Sequence, residues 1–252
     1  MPPEKIRDYG QVQSRWENSL ANSTSMLNLG MFSGIDRKYE CFKFVLGEGN
    51  SRKILISAGI HGDEPAGVET VCVFLEDKLY KKYLETWEIV ILPCLNPTGY
   101  ENGSRNNYAD KDLNRLFKAD DPPEEVRFAQ SVFTCSFTLT LELHEDTESP
   151  GYYLYQKTHP NSLAGPGRSI LDSVKNVMPL NLGRDIDGSQ AVDGLIDRLK
   201  GPGDMDWWPM ALYALSRGTG CCLTLETGTG FSMGTRVSAH LRAIDTAIDF
   251  FS

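Results

Sequence analysis

The chain has 252 residues, 40% of them hydrophobic and 23% charged, with a formal net charge of −9. This is the make-up of one large or two small globular domains, and it excludes a disordered or fibrous chain. So acidic a surface repels phosphate backbones and anionic bilayers, which excludes nucleic acid and membrane as partners but leaves room for one basic pocket.

Residues 1–35 read as a polar, Ser/Asn-rich N-terminal extension with a weak helical pattern over 11–20. Residues 39–46 alternate as a strand does, and 53–60 form an apolar run that predicts a buried strand. A helix is expected over 64–84, with Pro65 in its first turn and Val68, Val71, Phe74 and Leu75 on its apolar face. A second buried strand follows over 87–95, then a Gly/Asn-rich loop over 96–112. Residues 122–133 predict a helix, 137–143 a third strand, 151–156 a short aromatic strand and 162–177 a helix. Residues 183–206 read as loops, 221–225 as a strand and 232–251 as a closing helix.

Strands alternating with helices predict an α/β fold in three layers, a mixed and mostly parallel sheet with helices on both faces, as a single domain over 1–252. The N-terminus has no apolar core of the kind a signal peptide needs, and no run reaches the ~18 apolar residues of a membrane span. Cys41, Cys72, Cys94, Cys135, Cys221 and Cys222 form no CxxC pair and mostly sit in apolar runs. They read as buried free thiols in a reducing, cytoplasmic compartment.

Ligands gather at the carboxyl ends of strands in such sheets. The first buried strand is followed by His61-Gly62-Asp63-Glu64, and the third ends in Glu142-Leu143-His144. Two His and one Glu, leaving a fourth position for water, are the open ligand set of a catalytic zinc site. The last strand ends in Thr224-Leu225-Glu226, and the loop after Asn96-Pro97 holds Arg105, Asn114 and Arg115. Each signal has a bland reading by itself. HxxE is frequent by chance, Arg105 can be a surface charge, Arg115 a structural ion pair and Asn114 a turn residue. Their joint fall on the strand ends of one sheet is far harder to obtain by accident.

The segment from Ile54 to Glu64, Asn96-Pro97-Thr98-Gly99-Tyr100, Arg105 with Asp112-Leu113-Asn114-Arg115, Glu142-Leu143-His144 and Thr224-Leu225-Glu226 together resemble, in order, the motifs of the zinc carboxypeptidase superfamily. They are shared with its succinylglutamate desuccinylase and aspartoacylase branch. The resemblance implies the zinc carboxypeptidase-like (phosphorylase/hydrolase-like) fold and one Zn²⁺ per chain on His61, Glu64 and His144. It implies Glu226 as general base and acid, Arg105 as the oxyanion's partner, and Asn114 with Arg115 as the clamp on a substrate carboxylate. The expected activity is hydrolysis of an amide bond next to a free carboxylate, first as a metallocarboxypeptidase on small peptides. The alternatives are an N-acyl amino acid deacylase and a metal-binding pseudoenzyme. After Glu226 the chain runs only to Ser252, whereas the acylase branch carries a further β-rich domain, and this tilts the expectation to the peptidase.

Departures from the pattern remain. Glu145-Asp146-Thr147-Glu148 is an acidic cluster that opens a two-metal option, and Tyr213 is a candidate for the family's mobile substrate tyrosine by region alone. Glu142 shares a strand face with His144 and is either a partner for that ring or a solvated carboxylate. His240 reads as structural, and Trp207 and Trp208 as packing residues.

Overall fold

The computed structural model describes residues 6–21, 26–159, 165–197 and 201–252. These begin with α1 (Tyr9–Leu20), β1 (Met26–Ser33), β2 (Lys38–Leu46), β3 (Arg52–Ala58), α2 (Pro65–Glu76), β4 (Trp87–Leu92), α3 (Pro97–Asn102) and α4 (Glu124–Ser131). The second half holds β5 (Leu139–Asp146), β6 (Tyr153–Thr158), α5 (Gly167–Val174), β7 (Asp185–Ile186), β8 (Ser189–Gln190) and β9 (Leu195–Ile196). It closes with α6 (Met210–Ser216), β10 (Cys221–Gly228) and α7 (Met233–Phe250). Parts of the expected N-terminal extension (1–5 and 22–25), of the 162–177 helix (162–164) and of the 183–206 loops (198–200) lie outside the described residues.

One sheet runs in the order β1-β2-β4-β3-β5-β10-β6-β9. Its centre, β4-β3-β5-β10, is parallel, while β1, β2 and β6 pair antiparallel with their inner neighbours. Parallel strands need cover on both faces, which is why β3 and β4 are apolar almost throughout. On β5 and β10, alternation splits the side chains. Leu139, Leu141, Leu143, Cys221, Leu223 and Leu225 enter the core beneath α1, α2, α5 and α7. Cys222 enters the core beneath α4 and α6, and by the same alternation Thr140, Glu142, His144, Thr224 and Glu226 share its side. The expected three-layer α/β architecture is what forms.

Several local expectations change. The 64–84 helix stops at Glu76, because Lys78 takes a left-handed φ of 55°, and a 3₁₀ turn over Leu79–Tyr83 follows. The 96–112 loop opens with α3, too short to carry a period, and capped by the Asn96 side chain on the Gly99 N–H. Residues 183–206 contain the β7–β8 hairpin and β9 rather than loops alone. The helix α6 and the outer strand β1 were not expected. Within the polar extension, α1 buries Tyr9, Val12, Trp16 and Leu20, a stripe too narrow to change the composition of the segment. All six cysteines are free, but Cys135 is exposed, contrary to the expectation of buried thiols; it follows the end of α4, outside any apolar strand. Among the described residues no helix is long and apolar enough to cross a membrane.

Candidate active site

The chain leaves β3 through Gly59, at φ +61°, where a Cβ would press into Val68 and Cys94. Three residues on, Gly62 lies so close to the backbone of Gly99 and Tyr100 that any Cβ would overlap it. This close approach packs the β3–α2 turn against α3. Asn96 N–H donates to the Gly59 carbonyl at 2.8 Å, and its Nδ2 holds the Arg105 carbonyl at 3.2 Å. Glu64 is the N-cap residue of α2, and Pro65 supplies the fixed φ of its first turn. The turn thus sets His61 and Glu64 at the carboxyl end of β3, beside His144 near the end of β5.

The three side chains converge. Glu64 Oε1 meets His61 Nδ1 at 2.7 Å, and its Oε2 meets His144 Nδ1 at 2.8 Å. The Glu145 backbone N–H also donates to Oε2, at 3.1 Å. Burial pushes the Glu64 carboxyl up, but the His144 and His61 rings outweigh it and hold it far below the usual range. Burial likewise opposes a charge on His144, yet Glu64, Glu142 and Glu226 hold its pKa well above the ordinary value. One imidazole nitrogen from each ring and a Glu64 oxygen lie within 4.8 Å of one another, all on buried residues. Among the described residues this is the one cluster that can hold a metal ion, and its two imidazoles and carboxylate are the donors a divalent ion takes.

Asp112 joins this centre to the basic side of the cleft, a role that sequence reasoning did not assign. Its Oδ1 faces His61 Nε2 at 3.3 Å and caps the Asn114 N–H at 3.1 Å. Its Oδ2 accepts from Arg105 Nε at 3.1 Å and faces Arg115 Nε at 3.5 Å. His61 and Arg105 outweigh burial and hold its carboxyl well below the usual range. The sequence signal was present: an acid two residues before Asn114 is placed to cap the 3₁₀ turn that presents Asn114 and Arg115. Arg105 also reaches Glu64 Oε1 at 3.3 Å and stays half-exposed. Asn114 Oδ1 accepts the Met210 N–H at 2.9 Å, and Arg115 lies 4.1 Å over the ring of Trp207. Trp207 lines the cleft, in place of the packing role expected for it.

Glu226 stands one strand from His144 and in direct register with it. Burial raises its pKa to about 8, with Glu64 and Asp146 adding to the rise and His144 and Arg105 opposing it. Glu142 is not solvated: it is 2% exposed beside His144. Glu145 is committed elsewhere, paired with Arg236 of α7 and accepting the Ala66 N–H at 2.6 Å. Tyr213 packs between Phe117 and Phe133 and does not line the cleft; Tyr153 and Tyr155 of β6 do. His240 is fully buried, edge-on to Tyr152, as a structural histidine would be.

All seven expected site residues line a single cleft of about 1160 Å³. Its lining includes the cations Arg105 and Arg115. It also includes Tyr153 and Tyr155, whose hydroxyls donate to Asp146 at 3.0 Å and Asp187 at 3.1 Å.

Residues 50–178 match the family model of the succinylglutamate desuccinylase/aspartoacylase catalytic domain. Over 88 residues the chain is 35% identical to a succinylglutamate desuccinylase of Shewanella amazonensis, a match covering 32% of this chain and 24% of that protein. The chain therefore spans about a quarter of the length of that relative. A candidate metallopeptidase of Shewanella baltica OS155 superposes with a TM-score of 0.80 at 22% identity, over 97% of this chain and 93% of its own. A metallo-carboxypeptidase of Pseudomonas aeruginosa, solved with (2-guanidinoethylmercapto)succinic acid, has a TM-score of 0.69 at 17% identity, over 97% of this chain and 69% of its own. At these identities the two structures show the shared fold.

Proposed function

Because the chain belongs to the succinylglutamate desuccinylase/aspartoacylase catalytic-domain family, we propose that it is a metal-dependent hydrolase that cleaves an amide bond next to a free carboxylate and releases an amino acid. The observation that carries this reading is the buried His61–Glu64–His144 cluster with Glu226 in register beside it. Zinc is the ion we assign, one per chain, because two imidazoles and one carboxylate with an open position are its catalytic ligand set. When bound at His61, Glu64 and His144, it supplies Lewis-acid activation of water and of the scissile carbonyl.

The chain's own residues do the rest. Glu226 takes the proton of the attacking water at its carboxylate and delivers it to the leaving amine, as base and then acid. Its burial raises its hold on a proton in the metal-free protein, which suits the acid half of that duty, while a cation at the neighbouring cluster would favour the ionised form that the base half needs. Arg105 stands by the oxyanion with a guanidinium that is always charged. Arg115, resting on Trp207, and the Nδ2 of Asn114 clamp the substrate carboxylate. Asp112 holds His61, Arg105 and the Asn114 turn in one geometry.

Two substrate classes fit. The size of the cleft supports a small peptide: about 1160 Å³, lined by Tyr153, Tyr155 and Asp187 as well as Glu226, is more room than a simple acyl group fills. The family match supports an N-acyl amino acid instead. A panel of free di- and tripeptides, blocked peptides and N-acyl amino acids, run on metal-analysed protein, separates them. Turnover of acyl amino acids alone removes the peptidase reading. A metal-loaded protein as inert as its Glu226→Gln variant on the whole panel removes the hydrolase and leaves a binding protein.

A further inference from the structure

Glu142 takes no part in the reaction above, yet it is a buried carboxyl group beside the site. It lies two residues before His144 on β5, so both side chains share a face. In register it sits between Ser57 of β3 and Thr224 of β10. Both of its carboxylate oxygens are buried and accept no hydrogen bond. The Nε2 of His144 is equally buried and equally without a hydrogen-bond partner. The two orphans face each other, with Glu142 Oε2 4.0 Å from His144 Nε2. A carboxylate held in a protein interior without a partner is strongly disfavoured, so its retention needs a cause in the loaded site.

His144 turns its Nδ1 to Glu64, at 2.8 Å, and so to the metal side. That leaves Nε2 to carry the ring proton, aimed at Glu142. We propose that Glu142 is a positioning residue which accepts the Nε2–H of His144, fixes the tautomer that offers Nδ1 as a ligand, and thereby strengthens metal binding. The proposal rests on the reading that His61, Glu64 and His144 hold the ion. The two rings are braced differently. Asp112 behind His61 is partly exposed and divided among Arg105, Arg115 and the Asn114 N–H. Glu142 has no ion-pair partner but His144 among the described residues, and it is 2% exposed to solvent. A charge so placed acts on one ring alone.

The test is zinc affinity by chelator competition on the full chain, alongside the melting temperatures of the zinc-loaded and metal-free protein. Glu142→Gln keeps an acceptor oxygen but no charge, and is expected to weaken Zn²⁺ binding about 10-fold; Glu142→Leu removes both, with a loss of up to about 100-fold. The gap between zinc-loaded and metal-free melting temperatures should shrink in both variants, whereas a merely structural role would lower the two temperatures alike. Both variants binding Zn²⁺ within about twofold of the wild type would overturn the proposal. Should Glu142→Leu fail to fold, ¹⁵N shifts of the His144 ring in the zinc-loaded wild type and Glu142→Gln decide: a proton on Nε2 supports the assignment, and one on Nδ1 sinks it. A wild type that takes up no Zn²⁺, with His61→Ala unchanged from it, removes the metal reading itself, a result distinct from tight wild-type binding that Glu142 does not influence.

Discussion

In the proposed reaction Glu226 and Arg115 divide the chemistry between turnover and binding, and their variants should separate in the same way. Glu226→Gln preserves shape and burial but cannot take a proton. Turnover on the best substrate of the panel is expected to fall by at least ~10²-fold, while zinc content measured by metal analysis stays at the wild-type level. Unchanged turnover would remove Glu226 from the proton path. Arg115→Ala deletes a fork that grips a carboxylate through charged hydrogen bonds, so KM should rise by about 10–100-fold with kcat much less affected. Trp207→Ala tests the platform under that guanidinium, which sits 4.1 Å from the ring. A loss of ~0.5–1 kcal/mol, or about two- to fivefold in KM, follows from the cation–π contact. An unaltered KM in Arg115→Ala would show that the carboxylate is held elsewhere.

At the scale of elements, the turn from β3 into α2 and the N-terminal helix α1 act on the same place. Arg7, just before α1, donates to the carbonyls of Gly62 and Tyr100, both at 3.2 Å, so the N-terminal segment braces the turn that carries His61 and Glu64. The helix itself is held by Trp16, fully buried and edge-on to Phe42 and Phe44. Trp16→Ala should cost about 3–5 kcal/mol in denaturant unfolding, as large-to-small changes in packed cores do. Gly62→Ala is a more local probe. A methyl group there meets the Gly99–Tyr100 backbone, so α3 and the β3–α2 turn must separate. Zinc affinity should fall together with stability, and an Ala variant that binds zinc normally would show that this contact does not set the ligand geometry.

Across the whole molecule, the buried charges make stability depend on pH and on metal. The Glu226 carboxyl has an ordinary pKa of 4.5 and a folded one of about 8 in the metal-free protein. The folded state therefore binds the extra proton between these values. The stability this group contributes is complete below about pH 4.5 and is lost as pH rises through about 8. His144, raised by Glu64 despite its burial, acts in the same direction above its ordinary value of 6.5. Glu64 and Asp112 act oppositely, but at lower pH, because their folded pKa values are depressed and their contribution is lost only as pH falls. Scanning calorimetry of the metal-free chain should thus show a melting temperature falling between pH 5 and pH 8.5, with a shallower fall for Glu226→Gln; parallel curves would contradict the raised pKa. An ion that binds the folded state alone stabilises it by mass action, by ~4 kcal/mol at a thousandfold excess over Kd. At ~2–4 °C per kcal/mol for a chain of this size, chelation should lower the melting temperature by roughly 8–16 °C.

Much of this was legible in the amino-acid order. Apolar runs announced β3 and β4, since a strand covered on both faces has little choice of composition, and the Thr/Leu alternation announced β5. Because ligands collect at strand ends in such sheets, His61, Glu64, His144 and Glu226 were nameable as candidates from their joint place at strand ends and the resemblance of the ordered motifs. Elements without a period of their own were not legible: α3 is made by an Asn96 cap, β1 by the strand it pairs with, and α1 by a four-residue stripe in a polar segment. Tyr213 and Trp207 exchanged their expected places because which aromatic faces a cleft depends on helices distant in sequence. The sequence by itself determined the layered α/β architecture and the ligand types, because periodicity and residue chemistry are local properties. The tertiary structure alone decided that one Asp112 carboxylate serves His61, Arg105 and Arg115, and that Glu142 meets His144 rather than water. Those are matters of burial, and burial is set by whichever remote element happens to cover the strand.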